Sequence, residues 1–119
     1  MATAVKRKLS GSTDGKAIKI AQTATAGDTI HTAVAGTTAG TYDEIWLWAY
    51  NGHTADVVLT IEFGGASVPD QNIVISIPFK AGLVPIVPGL ILQNGMVVKA
   101  FAASANVVTI IGFVNSITD

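Results

Sequence analysis

The chain has 119 residues, half of them apolar and only 13% charged, with no cysteine and a net charge of −1. That length makes one domain, and it excludes the need for a staple, while the missing thiols exclude a disulfide framework, a thiolate metal site and a cysteine nucleophile. Lys6, Arg7, Lys8, Lys16 and Lys19 stand against Asp14 alone in residues 1–19, and the rest of the chain is net acidic, so a nucleic-acid footprint over the whole domain is not expected.

Val, Ile and Thr abound and helical spacing is absent, which predicts a nearly all-β chain. AVKRKLS at 4–10 reads as an edge strand or as part of a polar arm over 1–15, followed by the turn-rich GSTDG. MATAVKRKLSGS carries no apolar run after its basic residues and predicts no secretory signal. KAIKIAQT at 16–23 alternates, with Ile18 and Ile20 on one side, and DTIHTAV at 28–34 does likewise with Ile30, Thr32 and Val34. EIWLWAY at 44–50 and DVVLTIEF at 56–63 follow; NIVISIPF at 72–79 and the proline-broken LVPIVPGLIL at 83–92 come next. MVVKAFA at 96–102 and NVVTIIGFVNSI at 106–117 complete the strands. Turn signals at Asn51-Gly52, Gly64-Gly65, Pro69-Asp70, Ala81-Gly82 and Asn94-Gly95 separate these runs, and the spacing argues for an antiparallel sandwich or a closed barrel. The uncharged stretches 81–98 and 100–118 are interrupted by Pro, Gly, Ser and Asn, which disfavours membrane-spanning helices.

EIWLWAY departs from simple alternation. Ile45, Leu47 and Ala49 point one way in an extended strand, and Trp46, Trp48 and Tyr50 the other, so the strand is predicted to be covered on both sides. Core supplies one cover; a loop of the same chain or a second subunit supplies the other. In DVVLTIEF, Val57, Leu59, Ile61 and Phe63 are expected inward and Asp56, Thr60 and Glu62 outward. A charged fraction half the usual value also predicts self-association, a trimer in preference to a dimer, to cover apolar surface. A surface dressed in Thr, Ser, Asn and Gly is the alternative.

Catalytic signatures are missing: no GxSxG elbow, no phosphate loop and no HExxH zinc helix. His31 is expected to face away from Asp28, His53 lies in a turn, and Asp43 and Glu44 occupy opposite faces of their strand. The expectation is a non-enzymatic protein with no catalytic or metal-ligating residues and no cofactor. Six residues are candidate partner contacts: Lys6, Arg7 and Lys8 at the basic end, and Trp46, Trp48 and Tyr50 on the aromatic face.

The segments KRKLSGSTDGKAIKI, EIWLWAYNGHTADVVLTIEFGG, AGLVPIVPGLIL and MVVKAFAASANVVTIIGFVN span most of the chain. Together they resemble the small jelly-roll cement or decoration proteins of tailed bacteriophages, which are cysteine-free single domains rich in Ala, Thr, Gly and Val with a short polar arm. The likeness is one of style and carries no shared site motif, so no residue role transfers by position. It implies an antiparallel β-sandwich of jelly-roll type over 16–119, preceded by an arm at 1–15. It further implies a virion structural protein, made in the host cytoplasm, that coats the outside of an HK97-type shell. There it would bind the major capsid protein and bridge neighbouring capsomers, without direct contact to nucleic acid or membrane. A tail or neck component, a carbohydrate-binding sandwich using Trp46, Trp48 and Tyr50, and a small β-barrel enzyme remain as alternatives.

Overall fold

The computed structural model describes residues 2–119, which form nine strands and no helix. The strands are β1 (Thr3–Lys8), β2 (Ile18–Lys19), β3 (Asp28–Thr32), β4 (Tyr42–Asn51), β5 (Val57–Phe63), β6 (Asn72–Ile77), β7 (Val84–Leu92), β8 (Val97–Ala102) and β9 (Val108–Thr118). They make two antiparallel sheets, one ordered β1-β9-β4-β7 with β2 also on β9, the other β3-β8-β5-β6. The pairs nest: β5 with β6, β4 with β7, and β3 with β8, while β9 takes β1 and β2. That nesting, with successive pairs dealt to alternate sheets, is consistent with a jelly roll. Two uncharged stretches that resemble spans by composition are strands: 81–98 contains β7, and 100–118 contains the end of β8 and all of β9. Among the described residues no helix is long and apolar enough to cross a membrane.

The core lies between the sheets. Ile45, Leu47 and Ala49 of β4 and Ile110 and Val114 of β9 meet Leu59 and Ile61 of β5 and Val98 and Ala100 of β8, all essentially without exposure. Each Ile, Leu and Val among them contributes about 1.5–3 kcal/mol by leaving water, which outweighs anything the turns supply. The turns position the strands: Asn94 and Gly95 both have positive φ, 62° and 66°, and Met96 N–H donates to Gln93 O, closing the tight turn that carries the chain from β7 in one sheet to β8 in the other.

Three expectations need correction. First, the segment 1–15 is no free arm: residues 3–8 form the edge strand β1 on β9, Leu9 is 1% exposed in the core, and Gly11 N–H donates to Ile30 O. Met1 lies outside the described residues. Second, β3 does not alternate. A bulge between Thr29 and His31 puts Ile30 and His31 both inside and leaves Thr32 exposed, because a bulge adds a residue and resets the face of whatever follows. Third, Thr60 and Glu62 are buried despite their outward position on β5. Residues before β3 cross the outside of β8, and Gly27 presses so near Ala100 that a Cβ would lie 2.3 Å from the Ala100 carbonyl oxygen. Only glycine permits that approach, and the loop seals Glu62 from water as a result.

Buried His31 has both ring nitrogens engaged. Its Nδ1 accepts from Ser10 N–H at 3.0 Å, and Nε2 lies 2.6 Å from Asp43 Oδ2, which also accepts from Val34 N–H. The backbone donor on Nδ1 places the ring proton on Nε2, so this dyad ties β3 to β4 and the segment after β1. With Nδ1 taken by the Ser10 backbone and Nε2 by Asp43, neither ring nitrogen faces Ser10 Oγ, which accepts from Thr32 N–H. The Asp28 carboxylate accepts from Ala21 and Gln22 N–H and is likewise architectural.

Candidate interaction face

The outward side of the β1-β9-β4-β7 sheet carries the aromatic row. β4 alternates without a break, so Asp43, Ile45, Leu47, Ala49 and Asn51 are buried while Tyr42, Glu44, Trp46, Trp48 and Tyr50 are half-buried on the other side. The register sets Trp46 opposite Phe113 and Trp48 opposite Ile111 on β9, and Pro88 and Pro85 of β7 opposite the same two tryptophans. Phe113 stacks with both indoles, at centroid distances of 6.3 Å to Trp46 and 6.0 Å to Trp48 and interplanar angles of 15° and 27°. Such pairs contribute about 0.5–1.5 kcal/mol beyond their buried area, enough to hold the rings in one arrangement.

Polar groups fix that arrangement further. Trp46 Nε1–H donates to Glu44 Oε1 at 2.7 Å, and Asn115 Nδ2 donates to the same oxygen at 3.0 Å. These two donors, the indole first, hold the Glu44 carboxyl below its ordinary pKa. Gly89, at φ +75°, lies beneath the Trp46 ring, where a Cβ would come within 2.7 Å of it. The indole therefore lies down over β7 in space that only glycine leaves. Beyond the rings the face reaches Ile91, which is exposed opposite Glu44, and a groove of about 440 Å³ lined by Tyr42, Ile91 and Met96.

The six expected contact residues are only partly brought together. Trp46, Trp48 and Tyr50 share this face, as the alternation requires. Lys6 joins them, its Nζ 4.7 Å from the Phe113 ring centroid. Lys8 has the same parity as Lys6, but its amine donates to Ser12 O at 3.2 Å, and Arg7 points to the opposite side of β1. The basic trio is thus divided by strand parity. The second cover expected for β4 is no loop of the chain, for the half-buried side chains are shielded by neighbours in their own sheet.

Reasoning from sequence missed Phe113, Glu44 and Asn115 as members. Their parity on β9 and β4 was legible, but which strand of nine lies beside β4 was not, since β9 is 57 residues beyond the end of β4 in the chain, counting from Asn51 to Val108. Among the described residues no group of three or more His, Cys, Asp or Glu side chains could hold a metal ion. Comparison with protein-family models, with curated proteins and with solved structures finds no match for this chain.

Proposed function

We propose that the chain is a virion structural protein, a cement or decoration protein that binds the outside of an HK97-type shell and bridges neighbouring capsomers. The observation that carries this reading is the aromatic face: Trp46, Trp48 and Phe113 are stacked, oriented and accompanied by exposed Ile91, yet contribute nothing to the core between the sheets. A preorganised apolar face with a polar rim is what a protein partner recognises, and aromatic side chains dominate the energetics of such contacts. A sandwich fold and low charge suit a small rigid brace that is covered once assembled. The major capsid protein is the proposed partner, with a second contact between copies of the chain, as a trimer in preference to a dimer.

Co-sedimentation with empty HK97-type shells tests the reading, beside sedimentation velocity of the isolated chain at micromolar concentration. Binding that fails with Trp48→Ser while the variant remains folded supports it. A chain that is monomeric and indifferent to shells overturns it.

A carbohydrate-binding module is the second reading, favoured by two indoles that each stack on Phe113, with the amide of Asn115 nearby. Saturable binding of an oligosaccharide that protects the tryptophan fluorescence from quenching would select it over the first.

A further inference from the structure

A different part of the molecule carries the features of a small-ligand site. Glu62, on the outward row of β5, is 2% exposed. Its Oε1 accepts from Gly27 N–H at 2.7 Å, whereas Oε2 is buried and has no hydrogen-bond partner. An unpartnered carboxylate oxygen out of water is costly, so a donor brought there by a ligand gains more than it would at a solvated site. Directly opposite on β8 stands Lys99, whose ammonium has no hydrogen-bond or ion-pair partner among the described residues. Both side chains line one cleft of about 300 Å³, with Gly64, Gly65, Met96 and Val97 as its other walls. That volume lies at the small end of ligand pockets.

We propose that this cleft binds a small aliphatic zwitterion, its ammonium donating to Glu62 Oε2 and its carboxylate accepting from Lys99 Nζ. Charge complementarity selects this class. A lone cation would meet the ammonium of Lys99, and a lone anion would meet the carboxylate of Glu62, while a molecule carrying both charges satisfies each. A sugar is disfavoured because the cleft's lining has no aromatic side chain, and a metal ion because Glu62 is the lining's one carboxylate and no group of three His, Cys, Asp or Glu gathers among the described residues. Met96 and Val97 offer the short apolar wall that a methylene stem needs. The acidic end of the site is preorganised: the loop amide of Gly27 holds one oxygen, so the other is aimed before the ligand arrives. This inference is independent of the aromatic face and of any shell.

Amide NMR of the intact protein tests it, with glycine, β-alanine and γ-aminobutyrate as probes and n-butylammonium and butyrate as single-charge controls. The expected result is saturable shifts at the amides of Gly27, Gly64, Gly65 and Gly95 below about 10 mM for at least one zwitterion, and binding about tenfold weaker or more for both controls. Glu62→Gln and Lys99→Met are each expected to weaken the zwitterion about tenfold or more while the rest of the spectrum superimposes on that of the parent. Absence of saturable shifts with all three zwitterions overturns the proposal. So does binding that survives both substitutions, or a control that binds as tightly as the best zwitterion. Lys99→Met keeps the test decisive should Glu62→Gln fold poorly.

Discussion

β4 and β5 exchange the characters that their sequences suggest. β4, apolar at nearly every position from Ile45 to Tyr50, looks doubly buried, yet it alternates strictly and leaves Trp46, Trp48 and Tyr50 only half-buried. β5, which reads as a strand with one wet side, is buried on both from Leu59 to Glu62, Thr60 and Glu62 included, with only Val58 of its outer row exposed. Polarity along a strand reports which side faces the core. It does not report what passes over the other side. On β5 that is decided by a loop that reaches Glu62 through Gly27; on β4 no such loop arrives, and large rings shield one another instead.

The inner side of β4 offers the most severe way to break this contrast. His31→Ala removes the strongest partner of Asp43, leaving a 3% exposed carboxylate with Val34 N–H as its remaining donor. Loss of one member of a buried pair costs about 3–5 kcal/mol, and urea denaturation is expected to show a fall of that order. On the outer side, Trp48→Ala is expected to cost less, about 2 kcal/mol of folding stability, because the ring lies outside the core and is only half-buried. The same substitution is expected to weaken self-association or shell binding about tenfold or more, a disparity that sedimentation and denaturation measure together.

Glu62→Gln sharpens the comparison from the β5 side. Its carboxyl is buried like that of Asp43, but its one hydrogen-bond partner, Gly27 N–H, can donate to the Gln carbonyl oxygen as well, so the variant is expected within about 1 kcal/mol of the parent by thermal or urea melting. A smaller effect still attends Lys6→Gln, which removes the ammonium over Phe113 and is expected to cost about 0.5 kcal/mol by urea titration.

The last effect is spectroscopic. Because the folded protein holds the Glu44 carboxyl below its ordinary pKa, the ionised form is favoured by folding. The stabilisation is present above the ordinary carboxylate value and is lost as pH falls through the depressed one. Trp46 fluorescence is therefore expected to change in acid, below the range in which free glutamate titrates, as Glu44 becomes a weaker acceptor for the indole N–H. Glu44→Gln is expected to abolish that transition. A fluorescence midpoint at the ordinary glutamate value would show that the indole and carboxyl are not coupled.

By itself the sequence determined the all-β class, the strand segments and the facing of β4, because each follows from local side-chain preference and a two-residue period. Both sides of EIWLWAY were assignable for that reason. Tertiary structure alone decided three other matters. The basic segment became an edge strand, because burial of Leu9 and pairing of β1 with β9 outweigh the freedom of a polar arm. His31 met Asp43 because a bulge in β3 overrode the alternation that would have parted them. Glu62 was sealed against Lys99's side of the sheet, and Phe113 was set between two tryptophans, by pairings between strands far apart in the chain. Local periodicity sees one strand at a time, whereas the neighbour of a strand and the loop across it are chosen by the closure of the whole sandwich around its core.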